Sequence, residues 1–341
     1  MKGRVLVTGG LGYIGSHTSV ELLAQGYEVV IADNLSNTHA EVLDGIEAIA
    51  GTRPEWLQVD LSDSAACRLA LEGLHFDGII HFAAFKAVGE SVEEPLKYYQ
   101  NNLFSLINLL DYVSKHPHCG FIFSSSCTVY GQADELPITE NAPIKAAESP
   151  YGNTKQIGEE IIRETALAAG LKTIALRYFN PIGAHPSAKI GELPLGVPQN
   201  LVPFITQSAA GLRGPLSVYG NDYPTADGTA IRDYIHVVDL AQAHMVALER
   251  LMENKHEAPM EVFNLGTGKG STVLEVIESF QRATGAALSY TMAPRRAGDV
   301  IAAYADTQRA SAVLGWTARK SLDESMRDAW AWQMALGSDS H

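Results

Sequence analysis

Three cysteines in 341 residues, Cys67, Cys119 and Cys127, make neither an even disulfide framework nor a metal-type spacing. They fit a reducing compartment, with the thiols as packing or bystander groups. Positive charge is also scarce: 25 Lys and Arg stand against 39 Asp and Glu, for a formal net charge of −14. That balance excludes a general binder of nucleic acid or anionic membrane, both of which need a basic footprint. Any anionic ligand must be held by a few local donors. No apolar run approaches the ~18 residues of a membrane span. Met1-Lys2-Gly3-Arg4 leads straight into a short apolar strand instead of a signal-peptide core. A cytoplasmic protein is expected. Repeats and low-complexity segments are absent, and His17, His185 and His236 lack metal-ligand spacing, so they read as structural and no metal is expected.

What is present begins with a strand, a glycine turn and a helix. Arg4 to Thr8 is a β-rich run, Gly9, Gly12 and Gly15 punctuate the turn that contains Tyr13 and Ile14, and Ser16 to Gln25 reads as a helix closed by Gly26. Glycines there let backbone amides approach a pyrophosphate at the positive helix end, although a lone glycine cluster is also a plain tight corner. The next strand, Glu28 to Ala32, ends at Asp33-Asn34, where an acid can accept hydrogen bonds from an adenosine ribose. A 2′-phosphate ~4 Å from Asp33 would meet about 4 kcal/mol of repulsion per unit charge at an effective dielectric of 20, which favours NAD over NADP.

Strands at 56–59, 78–82 and 121–125 alternate with helix-like segments near 40–50, 64–73 and 95–115. This alternation predicts an α/β fold with a Rossmann-type, doubly wound parallel sheet. Residues just past the strand ends would line its ligand crevice: Asp60 and Leu61, Ala83, Ala84 and Lys86, and Ser124 to Ser126. For Asp60 the alternative is a helix cap with Ser62, and for Lys86 a solvated loop charge.

Ser149-Pro150 reads as a helix start, with Ser capping and Pro at the first position. Tyr151 and Lys155 then share one face, one turn apart. The helix dipole and the Lys155 ammonium are expected to lower the phenol pKa from ~10 toward neutrality, giving a base. Tyr-x-x-x-Lys alone is a common exposed pair, so its meaning depends on context.

Past the strand at 173–177 the composition changes to a Gly/Pro-rich tract reaching Pro224, poor sheet material and suited to a substrate-facing region. Helices are expected over 239–252, 272–284 with a Thr272/Glu275 capping box, and 322–332, with a strand at 262–264. Gly266 to Ser271 fails the phosphate-loop spacing and reads as a glycine turn. The expected division is a cofactor domain over 1–180, with about 236–265 returning to it, and a smaller mixed α/β substrate domain mainly over 181–341.

Taken in order, the glycines, Ser126, Tyr151 and Lys155 resemble the extended short-chain dehydrogenase/reductase family. The strings from Gly9 to His17, Lys86 to Ser91, Arg177 to Pro181, Gly220 to Thr225 and Arg232 to Val237 resemble the branch that inverts C4 of UDP-glucose and UDP-galactose. The resemblance spans essentially the whole chain. It implies bound NAD used twice, a homodimer, Tyr151 as base, Ser126 as the partner of the sugar oxygen and Lys155 as its electrostatic tuner. It assigns Asp33, Asp60, Leu61, Phe82, Ala83, Lys86, Asn101 and Phe179 to the cofactor. To the UDP-sugar it assigns Asn180, Asn200, Leu201, Tyr219, Arg232, Arg296 and Asp299, the arginines offering bidentate hydrogen bonds to a diphosphate. Four residues past Asp299, where several relatives carry Tyr, this chain has Ala303, which suggests room for N-acetylated UDP-sugars; the alternative is that neighbours refill the space. Cys127 is a second departure. A nucleotide-sugar 4,6-dehydratase is disfavoured because Ser126-Cys127-Thr128-Val129 lacks a carboxylate, and a silent NAD-binding protein would not need Ser126, Tyr151 and Lys155 together.

Overall fold

The computed structural model of the chain describes residues 2–296 and 299–338. From the N-terminus it runs β1 (Arg4–Thr8), α1 (Tyr13–Ala24), β2 (Glu28–Asp33), α2 (Val42–Ala50), β3 (Glu55–Gln58), α3 (Ser64–Leu71) and β4 (Gly78–His81). Two helices follow, α4 (Val88–Glu93) and α5 (Pro95–Ser114), then β5 (Gly120–Ser126), α6 (Pro150–Ala169) and β6 (Thr173–Tyr178). The second half holds β7 (Asn180–Ile182), α7 (Leu201–Ala209), β8 (Leu216–Tyr219), β9 (Ile231–Arg232), β10 (Tyr234–His236), α8 (Val237–Met252) and β11 (Met260–Leu265). It closes with β12 (Ser271–Thr272), α9 (Val273–Thr284), β13 (Tyr290–Ala293), β14 (Ala302–Ala303) and α10 (Leu322–Ser338).

Seven strands form one parallel sheet in the order β11-β6-β5-β4-β1-β2-β3. Strand alternation sends Val5, Val7, Val29 and Ile31 into the apolar layer on one face, and Leu6, Val30 and Ala32 into the layer on the other. Both faces are covered, so the strands read as continuous apolar runs. The chain winds outward from β1 in both directions, toward β2 on one side and β4 on the other. A ligand crevice is expected beyond the carboxyl ends of those strands, where the winding reverses.

Helix ends obey their caps. Ser149 accepts from the Gly152 amide at 3.1 Å and so sets the start of α6. Thr272 and Glu275 form a reciprocal capping box on α9, and Asp63 caps α3. Each such cap is worth about 1 kcal/mol. The alternative reading of Asp60 as a helix cap does not hold: Asp60 closes a local turn onto Ser62, and Asp63, three residues on, receives the helix amides.

The Gly/Pro-rich tract differs from expectation. It does contain sheet, because β7 pairs with β10 and β8 with β13, both in parallel. These strands draw their partners from far along the chain, so no local alternation announces them. With α7, α9 and α10 they enclose a separate core of Ile182, Val202, Ile205, Phe280 and Met326.

Candidate active site

The crevice at the reversal point is lined by Gly9, Gly12, Tyr13, Ile14 and Gly15, by Asp33, Asn34, Asp60 and Leu61, and by Phe82, Ala83, Ala84 and Lys86. Asn101, Ser124, Tyr151 and Lys155 complete it from the α5 and α6 side. Two glycines are required by geometry. Gly9 has φ +65°, and a Cβ there would lie 2.8 Å from the Ala83 nitrogen; a Cβ on Gly15 would lie 2.2 Å from the Gly9 carbonyl. Helix α1 starts at Gly12 with neither a side-chain cap nor an acid in its first turn. Its free amides and positive dipole end fit a pyrophosphate, and the bare glycine backbone lets one approach. Asp33 accepts from the Leu11 amide at 3.1 Å and the Leu35 amide at 3.0 Å. Burial raises its pKa, and the two amides oppose that rise.

At the opposite end of the crevice, Tyr151 and Lys155 are both buried on α6. Lys155 Nζ donates to the Ser124 carbonyl at 2.7 Å and lies 5.9 Å from the Tyr151 ring centroid. Burial lowers the Lys155 pKa to about 8, against an opposing pull from Glu159. The expected direction for Tyr151 is overturned. Its pKa is raised, first by burial and next by Tyr178, and the Ser126 hydroxyl pulls the other way. Desolvation of the phenolate is the largest cause, because the residue is almost wholly removed from water. Ser126 ends β5, and its hydroxyl accepts from the Thr128 amide at 3.2 Å.

A second, larger cleft shares a wall with the first at Tyr13, Phe85 and Lys86. Asn180, Asn200, Leu201, Tyr219, Arg232, Arg296 and Asp299 all line it. Arg296 donates to Asp299 at 3.0 Å and lies 4.9 Å over the Tyr219 ring, while Arg232 approaches the same carboxylate at 3.6 Å. Two arginines thus share one acid, leaving net positive charge for an anionic ligand. Helix α7 opens on the cleft without a side-chain cap, since Asn200 donates instead to Glu192 at 2.6 Å. Glu192 also accepts from Lys86 at 3.2 Å.

Three of the anticipated residues fall outside both linings: Phe179, Ala303 and Ser126, which ends β5 two residues past the crevice residue Ser124. Phe179 is buried with Val129, Tyr130, Ile138 and Ala305, and its neighbour Tyr178 reaches the crevice instead. Ala303 pairs in register with Arg232 and packs, with Cys127, against the same apolar cluster. Burial pushes the Cys127 thiol up to about 12, which favours its protonated form. Sequence reasoning missed Tyr178, whose hydroxyl lies 2.9 Å from Ser124 Oγ, although its place at a strand end was a usable signal. It also missed Glu192, for which the sequence carries no signal. His17 and His185, read as unrelated, lie with ring centroids 6.3 Å apart. Among the described residues no group of three or more potential ligands could hold a metal ion.

The family model described as GDP-mannose 4,6 dehydratase matches residues 6–329. The UDP-glucose 4-epimerase of Bacillus subtilis is 48% identical over 330 residues, covering 96% of each chain. The chain belongs to the UDP-glucose 4-epimerase family. Among solved epimerases, that of Stenotrophomonas maltophila, with bound NAD and formylated UDP-arabinopyranose, superposes with a TM-score of 0.95 at 45% identity, covering 99% of this chain and 100% of the other. The Bifidobacterium longum epimerase, in complex with NAD+ and UDP, gives 0.92 at 44% identity, covering 97% and 98%.

Proposed function

We propose that this member of the epimerase family interconverts UDP-glucose and UDP-galactose by inverting C4, using tightly held NAD. The observation that carries the reading is the shared wall: a glycine-backed crevice ending at Tyr151 and Lys155 opens at Tyr13, Phe85 and Lys86 into a cleft bearing two arginines. The fit to NAD rests on the uncapped amides of α1, the space a Cβ at Gly9 or Gly15 would fill, and Asp33 at the end of β2. NAD held by these residues would supply the acceptor and donor of the C4 hydride, and its positive charge would favour the Tyr151 phenolate.

The chain's own residues then divide the work. Tyr151 takes the C4 hydroxyl proton and gives it back, Ser126 hydrogen-bonds that oxygen as it becomes a ketone, and Lys155 steadies the phenolate and the cofactor ribose. Arg232, Arg296, Asn180 and the start of α7 at Asn200 and Leu201 hold the diphosphate, with Tyr219 against the base. Anchoring the nucleotide while leaving the sugar loosely held lets the 4-keto sugar turn over. The cofactor residues are those of the crevice, Tyr178 among them, while Phe179 packs in the cluster with Val129 and Ala305. We assign residues 1–180 and about 236–265 to the cofactor unit, in keeping with β11 in the large sheet, and the remainder mainly to the substrate unit.

Although the matching family model is named for a dehydratase, the turn at Cys127–Tyr130 carries no carboxylate to eliminate water. Incubation with UDP-galactose and identification of the product tests the reading. UDP-glucose is expected; a 6-deoxy-4-keto product or no conversion overturns it, and NAD should be released on denaturation. N-acetylated UDP-sugars form a second reading, which rests on Asn200 being tied back to Glu192, since Ala303 lines neither cleft. Turnover of UDP-N-acetylglucosamine by the unaltered protein checks that. A homodimer is supported by the exposed stripe Leu96, Phe104 and Ile107 on α5; Phe104→Glu should then give a monomer by sedimentation. Composition supports the cytoplasm.

A further inference from the structure

Below the redox pair, α6 carries a third buried residue at the same spacing: Tyr151, Lys155 and Glu159 follow one another at successive turns. Glu159 and Arg177 are each only 6% exposed. Arg177 Nε donates to Glu159 Oε1 at 2.9 Å, its Nη2 bonds the other carboxylate oxygen, and Ser125 Oγ donates to Oε1 at 2.6 Å. Arg177 continues outward: Nη1 donates to the Tyr130 hydroxyl at 3.0 Å, which donates to Asn264 Oδ1 at 2.6 Å. Asn264 Nδ2 then donates to the Ile138 carbonyl at 2.8 Å. One buried chain of hydrogen bonds thereby joins α6 to β5, β6, β11 and the turn that follows Ser126.

A buried ion pair is seldom needed for stability, since well-packed apolar residues of similar volume serve as well or better. Its location therefore calls for a different reason. Ser124, Ser125 and Ser126 are consecutive. The first holds Lys155 through its carbonyl and the second holds Glu159 through its hydroxyl; the third is the proposed partner of the sugar oxygen. We propose that Glu159, clamped by Arg177 and Ser125, is a positioning residue of the redox site: its carboxylate keeps Lys155 an ammonium, and the clamp fixes the turn of α6 that aims Tyr151 and Lys155 at the end of β5. This inference rests on Tyr151 and Lys155 being the redox pair.

The groups around Lys155 leave that task to Glu159. From β4 the neighbour is His81, whose pKa is lowered to about 3 by burial and by Lys155, so it stays neutral. From β6 it is Tyr178, a phenol pushed up to about 12 and hydrogen-bonded to Ser124. From α6 itself come Tyr151, raised by burial, and Glu159, the group that opposes the burial of the ammonium. Arg177 divides its positive charge between Glu159, through Nε and Nη2, and the Tyr130 ring, 4.8 Å from its centroid.

The test uses the holoenzyme and three variants: Glu159→Gln, which removes the charge at constant shape; Glu159→Asp, which restores it; and the pair Glu159→Gln/Arg177→Met, which leaves no lone buried ion. Turnover and KM are measured across pH, with melting temperature and bound NAD as controls. For Glu159→Gln we expect kcat to fall at least ~10-fold with KM nearly unchanged, and the alkaline limb of kcat to move down by about one pH unit. Glu159→Asp should recover the limb. The paired variant should fold, bind NAD and remain impaired with the same shifted limb; it carries the test if the single variant does not fold. Wild-type kcat and limb in the folded paired variant, or failure of both to fold, overturns the proposal by making the pair purely structural. Tyr151→Phe run alongside separates the two failures: if it keeps normal turnover, the redox assignment itself falls.

Discussion

On the proposed assignment, the two clefts hold their ligands by different physics. The cofactor crevice relies on backbone amides and on side chains already fixed by burial, as with Lys155 on the Ser124 carbonyl or Asp33 on two amides. Little has to move for it to work. The substrate cleft relies on long side chains parked on internal acids: Arg232 and Arg296 on Asp299, Lys86 and Asn200 on Glu192. An incoming diphosphate must displace or share those partners, so part of its binding energy is spent on rearrangement. A cofactor kept through every turnover and a substrate exchanged at each one place opposite demands on rigidity, and the two linings match those demands.

The sharpest way to break this contrast is to remove the chemistry from the rigid side without disturbing binding. Tyr151→Phe should lower kcat by ~10²–10⁴-fold while bound NAD and the affinity for UDP stay near normal. Turnover and a binding titration check it. Next comes the selectivity of the same crevice. In Asp33→Asn the preference for NAD over NADP should narrow by up to ~10³-fold, the repulsion of a 2′-phosphate having been removed, as competition between the two cofactors for the emptied protein would reveal. On the adaptable side, Arg296→Met should raise the KM for UDP-galactose by ~10–100-fold with a much smaller change in kcat, because a diphosphate contact acts in ground and transition states alike. A kcat loss as large as the KM change would mean that this cleft takes part in the chemistry.

The smallest effect concerns the rigid layer as a whole. Burial lowers the pKa of His17 and His81 to about 3 and of His244 to about 4. In the unfolded chain these imidazoles titrate near ~6.5. Below that pH the unfolded state takes up more protons than the folded state, so stability rises with pH through this window and is lost as pH falls from ~6.5 toward 4. The melting temperature should drop by roughly 5 °C or more between pH 7 and pH 5. His244→Leu should flatten part of that slope, which a melting series in matched buffers would register.

By itself the sequence determined the parts whose logic is local. A strand, a glycine turn and a helix lie within 4–24, Asp33 closes the next strand, Ser149 and Pro150 start α6, and Tyr151 and Lys155 share its face. Each depends on contiguous residues, on period-two or period-3.6 spacing, and on caps that are visible in the chain. Only the tertiary structure decided which residues line one cleft, since Lys86, Glu192 and Asn200, or Arg232, Arg296 and Asp299, meet through loops that no spacing encodes. It also revealed strands in the Gly/Pro-rich tract, where the pairing partners are remote. The charge state of the redox pair belongs to the same class. Helix position and the neighbouring lysine argued for an acidic phenol, yet burial raised its pKa, and desolvation is set by every element packed around the ring, not by the three residues that join Tyr151 to Lys155.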